Sequence, residues 1–108
     1  MLDPAEQQPS FAYCSHWVPR HEQCDLDVYT FQHNPLELPI FPNLIHWFPV
    51  FSANCRAATW AEMPVSATTS LAAAGWQVIG NWEVVFDDQP DHRDVIWRVE
   101  VQHRGARA

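Results

Sequence analysis

Trp76-Gln77-Val78-Ile79-Gly80-Asn81-Trp82-Glu83-Val84-Val85-Phe86-Asp87 and, after a polar loop over 88–93, Val95-Ile96-Trp97-Arg98-Val99-Glu100-Val101-Gln102-His103 are the two stretches that decide the fold. Apolar and polar residues alternate in both with a period of two, the spacing of a strand that buries one face. Trp76, Val78, Gly80, Trp82, Val84 and Phe86 share a face of the first stretch, and Val95, Trp97, Val99, Val101 and His103 share a face of the second. The two therefore read as an antiparallel hairpin. Its register follows from its charges. With Glu83 opposite Arg98, Val84 faces Trp97, Val85 faces Ile96 and Phe86 faces Val95. A slip by two residues sets Glu83 against Glu100 or Ile96, and a slip by one turns the apolar face outward. Gly80, between large neighbours, marks a bulge or a close approach.

Immediately upstream, 64–74 reads as the main helix. Pro64 suits a first turn, Leu71-Ala72-Ala73-Ala74 are strong helix formers, and Gly75 supplies a left-handed stop. A shorter helix is expected within 52–62, capped by Ser52 and ending before Pro64. The segment 35–51 carries prolines at 35, 39, 42 and 49, which forbid both a helix and a central strand. It is expected to be an extended apolar arm or sheet edge, with 44–48 long enough for a short edge strand. Further upstream, 11–18 and 25–31 are rich in aromatic and β-branched residues and flank a polar turn, which predicts a second hairpin. Pairing Val18 with Asp25 would place His16 opposite Asp27 and Trp17 opposite Leu26. The first ten residues read as an irregular arm. The expected whole is a single α+β domain over 1–108. It has an antiparallel sheet of four to five strands and one main helix on one face, either a ferredoxin-like variant or a novel topology.

Composition excludes several classes of function. The 108 residues suffice for one core, and 47% apolar with 18% charged residues is the balance of a chain that folds. All six basic residues are arginine, as expected of a GC-rich bacterial gene. Thirteen carboxylates leave a net charge of −7. Nucleic-acid and anionic-membrane partners both require clustered cations, so neither is expected. The N-terminal stretch lacks the basic start and apolar core of a signal peptide, and 36–51 is too short and interrupted to span a bilayer. A cytoplasmic location is expected, and there the three cysteines would be free thiols, with a Cys14–Cys24 bridge as the alternative.

No phosphate loop, dinucleotide fingerprint or nucleophile elbow is present, so no cofactor and no recognisable catalytic motif are expected. Four metal-type ligands fall within eleven residues, Cys14, His16, His21 and Cys24, and two cysteines with two histidines would suit tetrahedral zinc. Their spacing fits no finger template. His16 beside Asp27, or His46 with a carboxylate, would supply an acid–base pair for a small enzyme. The acidic loop over 87–94 lacks the glycine and terminal glutamate of a calcium loop and reads as a solvated hairpin tip. Six tryptophans are more than a small core easily hides. Trp76, Trp82 and Trp97 are expected in the core, whereas Phe41, Leu44, Trp47, Phe48 and Phe51 are expected at an interface. The leading expectation is thus a homodimeric binding module, with an aromatic-lined interface or a pocket for a small apolar ligand. The enzyme and the zinc module are the alternatives.

Overall fold

The computed structural model describes residues 9–18, 21–30 and 49–104, with the side chains of His16 and Val18 excepted. Five strands form one antiparallel sheet: β1 Ser10–Val18, β2 Gln23–Thr30, β3 Phe51–Arg56, β4 Trp76–Asp87 and β5 Val95–His103. Their order is β3-β2-β1-β5-β4. A 3-10 turn, Trp60–Glu62, leads into the helix α1, Met63–Ala73. The chain is therefore α+β, with one helix packed on one face of the sheet. Among the described residues a single helix is present, and it joins β3 and β4, the outer strands of the sheet.

The hairpin of β4 and β5 has the expected register at its centre, where Glu83 faces Arg98 and Val84 faces Trp97. The Arg98 guanidinium donates to Glu83 Oε1 at 2.6 Å. On either side the pairing shifts. One shift lies between Ile79 and Glu83, around Gly80 at φ 84, as the glycine implies. The other lies between Val84 and Phe86, so that Phe86 faces Ile96 instead of Val95. These irregularities break the alternation: Trp76, Val78 and Trp82 pack against the core, but Val84 and Phe86 are exposed.

The first hairpin is displaced from the expected pairing. Cys14 faces Leu26, Ser15 faces Asp25 and Tyr13 faces Asp27, so Asp27 is not opposite His16. The reason is the turn. Glu22 takes a left-handed φ of 51, which lets β2 begin at Gln23 rather than Asp25. A further irregularity between Ser15 and Val18 brings Trp17 onto the core side, where its indole donates to the Ala57 carbonyl at 3.1 Å.

The expected helix within 52–62 is instead mostly strand. Phe51–Arg56 pairs with β2, Ser52 donates its hydroxyl to Asp27 Oδ1 rather than capping a helix, and only Trp60–Glu62 is helical. Cross-strand partners outweighed the weak helix preference of alanine-containing sequence. The main helix lies where Pro64 and Gly75 place it. Met63, Ala67 and Leu71 recur at a spacing of four and are fully buried. They cover a sheet face made by Ala12, Cys14, Leu26, Val28, Val95, Val99 and Val101, which with them forms one continuous core. Of the arm over 35–51, only Val50 and Phe51 and the end at Pro49 fall within the described residues. Among the described residues no helix is long and apolar enough to cross a membrane.

Candidate metal centre

Cys14, Cys24 and Cys55 are all the cysteines of the chain, and the fold brings them together. Each comes from a different strand, β1, β2 and β3. Two-residue periodicity turns each toward the helix: Cys14 follows Ala12, Cys24 precedes Leu26 and Val28, and Cys55 follows Phe51 and Ala53. Cys24 and Cys55 are direct cross-strand partners. The three sulfurs lie within 4.8 Å of one another, with Cys14 Sγ 3.7 Å from Cys55 Sγ. All are free thiols and nearly inaccessible, at 0%, 1% and 4% exposure for Cys14, Cys24 and Cys55.

The electrostatics of the cluster are uneven. Cys55 is held below the ordinary thiol range by hydrogen bonds from Cys14, then from Cys24, and by the Ser66 hydroxyl of α1. The Cys14 thiol pulls Cys24 down, but the hydrogen bond with Cys55 and burial outweigh it and leave Cys24 pushed up to about 12. Cys14 is raised further still, by its hydrogen bonds to Cys24 and Cys55 and by burial. The three thiols titrate as one coupled group, and in so dry a site each negative charge opposes the next. A bound cation reverses that balance, because it compensates every thiolate it ligates.

Sulfur spacing decides what the cluster can hold. Metal–sulfur bonds of about 2.3 Å at tetrahedral or trigonal angles put the sulfurs about 3.8–4.0 Å apart. The 3.7 Å between Cys14 and Cys55 is close to that span, and Cys24 Sγ lies within 4.8 Å of both. Thiolates select soft or borderline ions such as copper(I), zinc and cadmium over magnesium or calcium.

The structure therefore regroups the residues that sequence spacing placed together. Cys14 and Cys24 do meet, and Cys55 joins them; among the described residues no histidine belongs to the cluster. His21 is exposed in the turn between β1 and β2 and is not part of the cluster, and the His16 side chain lies outside the described residues. His46, Phe41, Leu44, Trp47 and Phe48 also lie outside them. Phe51 is half-buried against the core, its ring 6.4 Å from that of Trp76. The signal for Cys55 was the alternation Phe51-Ala53-Cys55 against Ser52-Asn54-Arg56, which a helical reading of 52–62 conceals.

A second polar constellation lies where the sequence suggested a solvated tip. The two oxygens of Asp87 flank His92 Nδ1 at 2.8 and 2.9 Å. The imidazole stacks on Trp60 with ring centres 4.6 Å apart, and Trp60 stacks in turn on Trp97, whose indole donates to the Trp60 carbonyl. This chain of contacts pins the hairpin loop to the 3-10 turn. The rest of the tip is largely exposed, as expected.

Comparison with protein-family models, with curated proteins and with solved structures gives no match.

Proposed function

We propose that this protein binds a thiophilic metal ion through Cys14, Cys24 and Cys55. The observation that carries the reading is the convergence of every cysteine in the chain, from three strands, on one spot with sulfurs within 4.8 Å. Three small apolar residues would fill the same volume without the hydrogen-bonding conflict that raises two thiols and lowers the third. This reading takes the cysteines of the zinc-module alternative, Cys14 and Cys24, and adds Cys55 to them; His21 stands apart from the cluster. Free thiols of this kind suit a reducing compartment such as the cytoplasm.

Titration of the reduced protein with cadmium tests the reading directly. One ion per chain should bind, with thiolate-to-metal charge-transfer absorption, and Cys14→Ser, Cys24→Ser and Cys55→Ser should each weaken it by about 10-fold or more, as losing a ligand or its support does. His21→Ala should leave it unchanged. Binding that survives all three cysteine substitutions would overturn the assignment.

A homodimeric interaction module is the second reading, and exposed apolar residues on the edge strand β4 favour it. Ile79, Val84 and Phe86 are each about 40% exposed there, beside a strand edge that no described strand pairs with. Such a surface would also accept a small apolar ligand. Sedimentation of the full chain at micromolar concentration tests it: a dimer that Phe86→Glu dissociates supports the reading, and a monomer excludes it.

A further inference from the structure

The three thiols are close in space but unequal in the bonds their backbones permit. Cys24 and Cys55 are directly opposed on adjacent antiparallel strands. That places their Cα atoms about 4.5–5.5 Å apart, inside the range of about 4.4–6.8 Å that a disulfide spans. Cys14 is placed differently. It is opposite Leu26, two residues along β2 from Cys24, a diagonal of about 7–8 Å. From Cys55 it is separated by the whole of β2, two strand spacings or roughly 9 Å, and by an offset of two residues along β3 as well. The first separation is at or above, and the second well above, the ~7 Å beyond which a bridge needs the backbone to move, whereas the Cys24–Cys55 pair is well inside it. The 3.7 Å between the sulfurs of Cys14 and Cys55 is reached by side chains leaning toward each other from distant strands. That suits two ligands of one ion better than two halves of one covalent bond.

We propose that Cys24 and Cys55 form a reversible cross-strand disulfide, leaving Cys14 reduced, and that closing this bond empties the metal site. The second half rests on the metal-binding reading above, whereas the first half stands on strand pairing alone. The oxidant is a low-molecular-weight disulfide. The thiolate of Cys55 attacks one of its sulfurs, forming a mixed disulfide and expelling one thiolate, which takes up a proton. Cys24 then loses its proton to solvent and attacks Cys55 Sγ, forming the Cys24–Cys55 bond and expelling the second thiolate, which is protonated in turn. Two electrons pass from the two protein sulfurs to the oxidant, which leaves as two thiols. Cys55 is the entry point because it lies on the edge strand β3, which opens more readily than the central β1. With two of three ligands consumed, Cys14 alone cannot hold the ion.

The chain has no lysine, and Arg20 is the only basic residue between Cys14 and Cys24, with Arg56 the next. Trypsin therefore separates a peptide 1–20 carrying Cys14 from a peptide 21–56 carrying Cys24 and Cys55. The full chain is incubated with glutathione disulfide, alkylated under denaturing conditions and digested. The expected product is peptide 21–56 lighter by two hydrogens and unalkylated, beside peptide 1–20 alkylated at Cys14. Cys14→Ser should leave this product intact, and Cys24→Ser should abolish it. A cross-link between the two peptides, or no disulfide at all, overturns the proposal. In parallel, cadmium-loaded protein is oxidised and dialysed, then reduced and reloaded. The ion should leave on oxidation and return on reduction; an oxidised chain that keeps one ion overturns the gating. If the reduced protein binds no cadmium, the metal reading fails while the peptide map still decides the disulfide.

Discussion

Arg98 is the residue on which the sheet's other face depends. It is only 7% exposed, stacks over the Phe11 ring at 5.6 Å from its centre, bonds Glu83 and lies close enough to the buried Tyr13 phenol to act on it electrostatically. Its partner Glu83 has a side chain 60% exposed. The pair is therefore lopsided. Glu83→Gln keeps an acceptor in a wet position and should cost under about 1 kcal/mol. Arg98→Ala removes the cation beside the buried Tyr13 phenol, the packing against Phe11 and the bond to Glu83 together, and should cost about 1–3 kcal/mol. Urea denaturation of the two variants should therefore differ by at least ~1 kcal/mol, and equal losses would contradict the geometry. Tyr13 adds a pH dependence. Burial pushes its phenol above the ordinary 10.0, against the opposing pull of the nearby Arg98 guanidinium. The folded state holds this proton more tightly than the unfolded state does. The associated stability is fully present below pH 10 and is lost as pH rises through the raised value. Tyr13→Phe should flatten the alkaline limb of the stability curve above pH 10, and an unchanged limb would show that other groups govern it.

At the scale of elements, α1 shows how one face carries a helix. Leu71 is fully buried and Val65, six residues earlier, is 70% exposed. Leu71→Ala should cost about 2–5 kcal/mol by leaving a cavity between helix and sheet. Val65→Ala should be neutral or slightly stabilising, because alanine is the better helix former and nothing packs there. Thermal melts of the two variants check the contrast. This helix, β5 and the centre of β4 were legible in the sequence because their signals are local: a proline and a glycine bracket the helix, and opposite charges fix the hairpin register. The strand β3 was not. Its residues carry mixed propensity, and what makes Phe51–Arg56 a strand is its pairing with β2, a contact between distant positions. The register of β1 and β2 failed for a related reason, since one left-handed residue, Glu22, shortened the turn and moved every partner. The cysteine cluster inherited both errors. Cys14 and Cys24 stood close in sequence and were visible as ligands, but Cys55 joins them only once β3 is a strand.

At the scale of the molecule, the helix ties one sheet edge to the other while the thiols sit toward the β3 side, and that asymmetry makes a final prediction. A bound ion joins β1, β2 and β3 but touches neither β4 nor β5. At a free concentration 100 times its dissociation constant it would stabilise the folded state by about 2.7 kcal/mol, or about 100-fold in the population of any opening that breaks the site. Edge strands exchange their amide hydrogens largely through local opening, and β3 is an edge. Opening of β3 withdraws Cys55, so the ion should slow exchange at 53–56 by up to about 100-fold. Opening of the outer edge of β4 leaves all three sulfurs in place, and exchange at 77–81 should not change. Hydrogen exchange followed by mass spectrometry, with and without cadmium, distinguishes the two edges. Equal protection of both would mean that local opening does not govern either. Protection at β4 alone would place the ion away from the cysteines.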